Sequence, residues 1–313
     1  MKLLTQTKAL ADDTRLRLLG VLSRHELNVG EIVQVMGMGQ SRISRHLKIL
    51  MDAGFVVCKR NGLWAFYATA AGNGTQALLG AVLEGLRDVP EHERDLKSAD
   101  AVLQERRQST VRFFDELAAD WIRMSHEILG EFDLSAVILD HLARSGITAR
   151  RGVVADLGCG PGLMLGLMAG QASQVIGVDN SSRMLDAAAK HLPEGQDVSL
   201  RIGDLEHLPL RDGEADAAVM SLVLHHLASP QAGLAETGRV LRPGGQLILA
   251  DFLSHDNETM RLRYGDRWLG FAATDLDTWL RRAGFQDVAA CVYEVNMGLQ
   301  LQVVTARQEE FSV

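Results

Sequence analysis

A run of glycines follows an acidic residue in the middle of the chain. The segment reads Ala155-Asp156-Leu157-Gly158-Cys159-Gly160-Pro161-Gly162. Glycines have no Cβ atom, so a ligand can approach their backbone closely. The carboxylate of Asp156 disfavours a pyrophosphate at this point and suits an ammonium or sulfonium group. The pattern therefore predicts a binding site for a small molecule with a positively charged centre.

Two further acidic residues end apolar runs of the kind that form buried strands. Asp179 lies 21 residues after Gly158, which suits a carboxylate that accepts hydrogen bonds from ribose hydroxyls. Asp204 and Leu205 follow the next apolar run and are expected to face an adenine ring and its amino group. A nicotinamide dinucleotide site is disfavoured, because the sixth position of its G-x-G-x-x-G fingerprint is Leu163 here.

The charge of the chain is unevenly distributed. Residues 1–70 contain ten Lys and Arg against five Asp and Glu, a net charge of +5, whereas the 313 residues together carry −8. Such asymmetry suggests an anionic partner for the basic segment, with a solvated surface as the alternative. The composition, 47% hydrophobic and 23% charged, is that of an ordinary globular protein long enough for two domains.

A helix predicted over 40–53 is the clearest sign of that anionic partner. Ile43, Leu47 and Leu50 give it one apolar face. A shorter helix over 29–36 and a glycine-containing turn precede it, as in a helix-turn-helix. Its other positions carry groups that bond base edges and phosphates, so DNA contacts are expected from Gln40, Ser41, Arg42, Ser44, Arg45, His46 and Lys48.

A hairpin is predicted directly after this helix. Asn61-Gly62 between two β-rich runs is a strong signal for a two-residue turn. Lys59 and Arg60 stand at its tip. The hairpin would form a wing whose basic tip also contacts DNA.

The segment over about residues 5–70 resembles the ArsR-type winged-helix repressors. The resemblance rests on Ala9–Leu19, Ser41–Leu50 and Ala53–Val56. It implies double-stranded operator DNA as the partner, with a winged helix that makes protein contacts as the alternative. It also implies a homodimer that matches a two-fold operator, in which a helix predicted over 75–87 packs against its twin.

The chain departs from the metal-sensing members of that group. Those members carry cysteines where this chain reads Glu26-Leu27-Asn28-Val29-Gly30-Glu31-Ile32. An arsenic or zinc site is therefore not expected there. The cluster Glu91-His92-Glu93 lies in the segment 88–100, which is charged, contains Pro90 and is interpreted as an exposed connector or helix break. No metal site is predicted, so a sensed ligand must bind elsewhere in the chain.

Strand and helix patterns alternate from Val153 onward. Apolar strands are predicted over 153–157, 174–178, 198–202, 217–221 and 245–250, and two final strands over 286–295 and 299–305. This alternation predicts an α/β fold with a doubly wound parallel sheet and an antiparallel hairpin at its edge. Ligands of such sheets bind at the carboxyl ends of the strands.

This part of the chain, over about 110–305, resembles the class I S-adenosylmethionine-dependent methyltransferases. The resemblance rests on Val154–Gly162, Gly177–Leu185, Gly203–Leu205, Ser221–Leu227 and Leu241–Gly245. It implies a seven-stranded Rossmann-like domain that binds S-adenosylmethionine or S-adenosylhomocysteine. The implied cofactor residues are Asp156, Gly158, Cys159, Gly160, Gly162, Asp179, Asn180, Met184, Gly203, Asp204, Leu205, Ser221 and Leu222. Asp156 and Gly158 would face the methionine part, Asp179 the ribose and Asp204 the adenine.

Three segments are expected: a winged helix-turn-helix over 1–70, a helical dimerisation or linker segment over 71–110, and a methyltransferase-like domain over 111–313. A helix over 101–117, extending as far as residue 129, joins the last two. Its residues Phe113, Phe114 and Trp121 either cover the cofactor or pack in the core.

Two functions are carried forward. The fusion favours a repressor whose DNA affinity is set by S-adenosylhomocysteine or S-adenosylmethionine, and the whole chain resembles regulators that respond to S-adenosylhomocysteine. The alternative is an active methyltransferase for a small-molecule acceptor, with His225 and His226 as candidate bases, although packing is the commoner role of such histidines. A DNA methyltransferase is disfavoured, because Ser221-Leu222-Val223-Leu224 stands where an Asn/Asp-Pro-Pro-aromatic stretch is needed.

The remaining sequence features concern the cellular compartment in which the protein is expected. Cys58, Cys159 and Cys291 have neither disulfide-framework nor zinc-site spacing. Residues 1–8 contain no apolar stretch of the kind a secretion signal needs, and no apolar run is long enough to cross a membrane. A reducing cytoplasm and no membrane partner are therefore expected.

Overall fold

The computed structural model describes residues 2–70, 74–145, 152–192 and 195–309. The chain forms two compact units, Met1–Arg107 and Gln108–Val313. The division falls within a long helix, so that one helix contributes residues to both units. None of the described helices is long and apolar enough to cross a membrane.

The first unit consists of helices packed on a small sheet. Its elements are α1 (Lys2–Leu10), α2 (Asp13–Leu22), β1 (Leu27–Asn28), α3 (Val29–Met36), α4 (Gln40–Asp52), β2 (Val56–Asn61), β3 (Trp64–Thr69), α5 (Gln76–Leu86) and the first part of α6 (Pro90–Leu117). The three strands are antiparallel in the order β1-β3-β2. The helix-turn-helix and the hairpin predicted from the sequence are confirmed.

Local signals explain where these helices begin and end. Asn28 and Glu31 form a capping box at the start of α3, each side chain accepting from the other's backbone N–H at 3.1 and 2.8 Å. Gly37 ends that helix in the left-handed region, with φ 62°. The residues of α4 that face the core are Ile43, Leu47 and Leu50, and all three are fully buried.

Two details of the first unit differ from the sequence-based predictions. The hairpin turn is Gly62-Leu63, one residue later than predicted, because Asn61 still pairs with Trp64 at the end of the ladder. The segment 88–100, predicted to be an exposed connector or helix break, is helical from residue 90 onward, and the helix break lies just before it, between α5 and α6. Helix α6 begins at Pro90, a residue that a first helical turn tolerates because no partner for its N–H is needed there.

Packing explains the helical form of that segment. Asp95 of α6 is buried and accepts two hydrogen bonds from the Arg17 guanidinium, both 2.7 Å long. His92 is only 8% exposed, so the Glu91-His92-Glu93 cluster is not a solvated linker. Arg106, farther along α6, forms a buried ion pair with Glu31.

The second unit is built on a seven-stranded sheet. Its further elements are α7 (Trp121–Leu129), α8 (Leu134–Arg144), β4 (Val153–Leu157), α9 (Leu165–Ala169), β5 (Gln174–Asp179), α10 (Ser182–His191), β6 (Val198–Ile202), β7 (Ala215–Ser221), α11 (Pro230–Val240), β8 (Leu241–Phe252), α12 (Glu258–Tyr264), α13 (Ala273–Arg282), β9 (Phe285–Glu294) and β10 (Gln300–Gln308). The strand order is β6-β5-β4-β7-β8-β10-β9.

The topology of the sheet agrees with the predicted α/β architecture. Strands β4 to β8 are parallel, and β10 is antiparallel to both of its neighbours. The strand order reverses at β4, which lies between β5 and β7. A ligand crevice is expected outside the carboxyl ends of strands at such a switch point.

Some helices of this unit differ from the predicted ones. The helix expected to run on to residue 129 is interrupted, since α6 ends at Leu117 and α7 starts at Trp121. Helices α8 and α12 had no counterpart among the predictions.

Candidate functional site

A cavity opens at the carboxyl ends of β4, β5 and β7. It encloses about 1070 Å³ of space, including its open mouth. Ten of the thirteen cofactor residues proposed from the sequence line it: Asp156, Gly158, Cys159, Gly160, Asp179, Asn180, Met184, Leu205, Ser221 and Leu222. The parallel strands therefore bring together residues that are far apart in the sequence.

The glycine loop closes tightly around the end of β4. The backbone N–H groups of Gly158 and Cys159 both donate to the Val178 carbonyl oxygen, at 2.8 and 3.0 Å. Gly158 has φ 83°, and a Cβ atom added there would lie 2.4 Å from Val223 Cγ2. Glycine is needed at this position for two reasons, namely its backbone conformation and the side chain against it.

We predict that Gly158→Ala lowers the free energy of unfolding by about 1–3 kcal/mol, through overpacking and left-handed backbone strain. Urea denaturation measures this loss. A second substitution, Val223→Ala, removes the overlapping methyl groups and should restore part of the stability but not the part due to backbone strain. An unchanged free energy of unfolding in Gly158→Ala would contradict the tight loop.

The carboxylate of Asp179 is held in place by backbone donors. It accepts from the N–H of Gly160 and from the N–H of Ser181, each at 2.9 Å. Burial raises the pKa of Asp179, and these backbone N–H groups partly oppose that rise. The side chain is thus fixed at the end of β5, and Asp179 lines the cavity.

Asp156 is a buried carboxyl on the same wall. Burial, and next the nearby charge of Asp179, raise its pKa to about 7. An uncompensated carboxylate in such a place is unfavourable. A cation bound in the cavity would therefore stabilise its ionised form.

The other three proposed cofactor residues lie outside the cavity wall. Gly162 allows helix α10 to pack closely, because a Cβ atom there would lie 2.8 Å from Ala188 Cβ. Gly203 is similarly close to the ring of Pro209. Asp204 accepts a hydrogen bond of 2.9 Å from the Glu206 N–H in a turn. Asp204 and Leu205 were both expected near the adenine, and of these two it is Leu205 that lines the cavity.

Aromatic side chains cover part of the cavity. Phe114 of α6 and Trp121 of α7 both line it, with ring centroids 5.1 Å apart in an edge-to-face arrangement. Phe113 has the packing role instead, since a Cβ atom on Gly265 would lie 2.4 Å from its ring. Phe113 therefore packs in the core, and for Phe114 and Trp121 a place over a bound cofactor stays a prediction.

Sequence reasoning missed other parts of the wall. Thr110, Ser125, Leu129, Leu134 and Ser135 line the cavity from helices α6, α7 and α8. These helices precede β4, the first strand of the seven-stranded sheet in the sequence, and no motif in them points to a ligand. Leu222 was proposed, but its left-handed backbone, with φ 53°, was not evident from the sequence. Strain in a non-glycine residue is common at functional sites.

Two adjacent histidines follow β7 and have different environments. His225 is buried, with Nδ1 2.8 Å from Asp251 Oδ1 and Nε2 3.6 Å from Asp266 Oδ1. Burial lowers its pKa, but the two carboxylates outweigh this effect and raise the value to about 9. His226 lines the cavity, and burial together with its neighbour His225 lowers its pKa well below the usual range.

Helix α4 of the first unit presents the residues proposed to contact DNA. Gln40, Ser41, Arg42, Ser44, Arg45 and Lys48 are exposed on it, and Lys59 and Arg60 are exposed on β2. Within the part of the chain that the structure describes, Arg42 and Arg45 form no side-chain ion pair. His46 lies differently: its side chain is 12% exposed and its Nδ1 is 3.6 Å from Asp12, the N-cap of α2.

Matches to known protein families support the descriptions of both units. Residues 12–57 match the family of bacterial regulatory proteins called arsR, and residues 155–249 match the methyltransferase domain family. The first match covers α2 to the start of β2, and the second runs from β4 into β8.

Similar sequences include a 37.1 kDa uncharacterized protein in transposon TN4556 of Streptomyces fradiae. It is 38% identical over 160 residues, which are 50% of this chain and 42% of that protein. A ubiquinone biosynthesis O-methyltransferase of Dechloromonas aromatica is 32% identical over 145 residues, 46% of this chain and 62% of the enzyme. The chain thus spans less than two thirds of the length of these relatives.

Solved structures support the fold of the second unit. A chain of the complex between the Haloferax volcanii Trm112 methyltransferase activator and a methyltransferase superposes with a TM-score of 0.51 at 21% identity, covering 63% of this chain and 98% of its own. The cyclase SpnF superposes with a TM-score of 0.51 at 21% identity, and the match covers 65% of this chain and 96% of SpnF. The seven-stranded methyltransferase fold is confirmed, and a cyclase shares it.

Proposed function

We propose that this chain, which joins an ArsR-family helix-turn-helix domain to a class I methyltransferase domain, is a transcriptional regulator controlled by a cofactor. Its affinity for operator DNA would be set by S-adenosylhomocysteine or S-adenosylmethionine bound in the second unit. The observation that carries the proposal is the cavity itself, which is built from cofactor-type residues in a chain that also holds a DNA-binding helix.

The two families supply the coarser part of this function. An ArsR-type helix-turn-helix implies binding to DNA. A domain of the S-adenosylmethionine-dependent methyltransferase family implies binding of S-adenosylmethionine. The proposal adds that binding of the cofactor regulates binding to DNA.

In the first unit, the segment 26–32 has none of the cysteines with which metal-sensing relatives bind a metal. Asn28 and Glu31, in the segment where metal-sensing relatives carry cysteines, serve the capping box of α3. Glu31 also pairs with Arg106, so its carboxylate is already engaged. Among the described residues of this unit, no group of three His, Cys, Asp or Glu side chains is arranged to hold a metal. The regulatory ligand would therefore bind in the second unit.

The residues of the cavity fit an adenosyl ligand. Asp179 would accept hydrogen bonds from the ribose hydroxyls, since its carboxylate is fixed at the cavity wall. Asp156 would bind the ammonium group of the amino-acid part. Phe114 and Trp121 would shield the ligand from water.

Helix α6 is the candidate for transmitting the ligand signal. In the first unit its Arg106 pairs with Glu31 of α3, the helix before the DNA-contacting α4. In the second unit its Phe114 lines the cavity, and its Asp115 accepts a 2.5 Å hydrogen bond from Ser181. A ligand regulates DNA binding only if it has different affinities for the two DNA-binding states. Contacts of α6 with ligand-lining residues would provide that difference.

A homodimer belongs to the same proposal. Helix α5 exposes Ala77, Gly80 and Ala81 at helical spacing, so small side chains would let a second copy approach closely. The segment 71–110 would then provide the dimer contacts, between a DNA-binding segment 1–70 and a ligand-binding segment 111–313. Two-fold symmetry would match a two-fold operator.

Parallel titrations test the regulatory proposal. A DNA duplex is first selected by the full-length protein from a random library. Its affinity is then measured by fluorescence anisotropy at increasing S-adenosylhomocysteine or S-adenosylmethionine, while calorimetry measures ligand binding. We expect one of the two to bind and to change the DNA affinity at least about fivefold, the lower end of typical coupling. Ligand binding without any change in DNA affinity would refute the switch.

The affinity for S-adenosylhomocysteine should depend on pH through Asp156. Its pKa of about 7 means that the carboxyl is largely protonated below that pH and must lose a proton to bind the ammonium group. Affinity should therefore rise as pH increases from 6 to 7 and level off above, by up to about tenfold per pH unit at the acidic end. Calorimetry from pH 6 to 8 measures this dependence, and Asp156→Asn should abolish it. A dependence that persists in Asp156→Asn would assign it to another group.

An active methyltransferase remains the second candidate function. The observation that favours it is His226, whose Nε2 lies buried beside the cavity without a hydrogen-bond partner among the described residues. A relative acts as an O-methyltransferase, and a hydroxyl acceptor needs a group that takes its proton. Formation of S-adenosylhomocysteine that requires an added phenolic acceptor would support this function.

A further inference from the structure

Three potential metal ligands lie together beside the cavity. His225, His226 and Asp266 each present a ligand atom, and these atoms are within 4.8 Å of one another. The residues are buried, at 2%, 3% and 2% exposure. His226 is also part of the cavity wall. Asp266 lies 40 residues after His226, and no sequence motif connects it with the histidine pair.

Both imidazole rings are held through Nδ1. That atom of His225 lies 2.8 Å from Asp251 Oδ1, and that of His226 lies 3.2 Å from the Gly265 carbonyl oxygen. A metal-bound histidine almost always donates its second ring N–H to a carboxylate or a backbone carbonyl, which fixes its tautomer and orientation. Both rings already have this outer hydrogen bond, and in each ring Nε2 is the atom left for a ligand.

The carboxylate of Asp266 has an unusual environment for a buried charge. Neither of its oxygens has a hydrogen-bond partner among the described residues, and its contact with His225 Nε2, at 3.6 Å, is a long ion pair that exists only while that ring is protonated. Nε2 of His226 also has no partner there. Buried carboxylates are normally hydrogen-bonded, paired or bound to a metal. A cation between these groups would satisfy both residues.

The backbone around the cluster is firmly connected. The loop after α12 docks on His225, whose carbonyl oxygen accepts from the N–H groups of Arg267 and Trp268 at 3.1 and 3.0 Å. Asp251, near the end of β8, accepts from the His225 N–H as well as from its ring. Such support keeps ligand side chains close to a binding geometry.

We propose that His225, His226 and Asp266 bind a divalent first-row transition-metal ion, such as Zn²⁺ or Fe²⁺. Two imidazoles and one carboxylate are a known ligand set for both ions, and they leave coordination positions for water or substrate. Metal–ligand distances of about 2.0–2.2 Å place ligand atoms on one ion roughly 3–4 Å apart. The side chains would therefore move by less than about 1 Å. The proposal does not depend on cofactor-regulated DNA binding.

Cobalt is a suitable probe, because Co²⁺ takes the same ligands and its visible absorption reports coordination. Full-length protein is freed of metal with a chelator and titrated with Co²⁺, and calorimetry with Zn²⁺ gives the stoichiometry. We expect one ion per chain. Asp266→Asn should weaken binding more than about 100-fold, and Asp251→Asn, which removes the carboxylate that orients the His225 ring without being a ligand itself, about 10- to 100-fold.

A neighbouring histidine provides the matched control. His255 is a half-buried histidine near the cluster whose Nε2 is buried and also lacks a partner among the described residues, so His255→Gln should bind Co²⁺ like the wild type. Thermal unfolding of each variant in chelator, together with its affinity for S-adenosylhomocysteine, shows that the fold is retained. Absence of Co²⁺ binding by the wild-type protein would overturn the proposal. Binding that Asp266→Asn leaves unchanged would do the same.

Discussion

Asp179→Asn is expected to weaken binding of S-adenosylhomocysteine about 100-fold or more and to abolish the response of DNA binding to that ligand. The carboxylate of Asp179 accepts from the N–H groups of Gly160 and Ser181, one on each oxygen. An amide has only one acceptor oxygen, so its NH₂ group would oppose one of these donors. The variant would also lose a charged acceptor for the ribose. Hydrogen bonds to charged groups contribute about 1.5–3 kcal/mol each, and two of them account for such a loss.

The ligand-free DNA affinity of Asp179→Asn should equal that of the wild type, because the substituted residue lies in the second unit. Calorimetry with S-adenosylhomocysteine and anisotropy with the selected duplex measure the two effects separately. Asp186→Asn is the matched control, since Asp186 is exposed on the adjacent helix α10 and does not line the cavity. If Asp179→Asn binds the ligand as tightly as the wild type, the ligand site is not where we place it.

The residues at the strand ends and in the glycine loop could be assigned to the cavity from the sequence for a physical reason. In a parallel sheet, residues that follow neighbouring strands meet at one edge, so Asp156, Asp179 and Leu205 could be assigned to one cavity from strand ends alone. The glycine loop could also be recognised, because positive φ and close packing restrict the choice of residue. Local rules of this kind need no knowledge of tertiary contacts.

The parts that sequence reasoning missed depend on tertiary contacts. Segment 88–100 looks like a connector by charge and by Pro90, yet Asp95 becomes buried because Arg17 of α2 supplies two hydrogen bonds. His46 has the polarity of a DNA-contacting residue, but it lies against Asp12 at the start of α2. Asp266 joins the histidine pair only because the loop after α12 folds back on His225. Periodicity and motif spacing contain no information about such long-range partners.

The double variant Arg42→Ala/Arg45→Ala is expected to lose specific DNA binding. Both side chains are exposed on α4, on the face away from Ile43 and Leu47, and neither is held in an ion pair among the described residues. A bidentate contact from arginine to guanine contributes about 1–3 kcal/mol of discrimination, so the loss of two gives a decrease in affinity between about 30-fold and 20,000-fold. Anisotropy with the selected duplex, compared with a scrambled duplex, measures the specific part.

Because the core face of α4 is unchanged, the double variant should keep the thermal stability and the cofactor affinity of the wild type. Arg94→Ala is the matched control: Arg94 is exposed on α6 of the same unit, outside the helix-turn-helix, and pairs with Glu91. The dependence of DNA affinity on salt separates the remaining possibilities. If the arginines contact only phosphates, the double variant binds selected and scrambled duplexes with equal losses and a shallower salt slope. If they read bases, the preference for the selected duplex disappears, and this is the result we expect from side chains at the N-terminal half of a recognition helix.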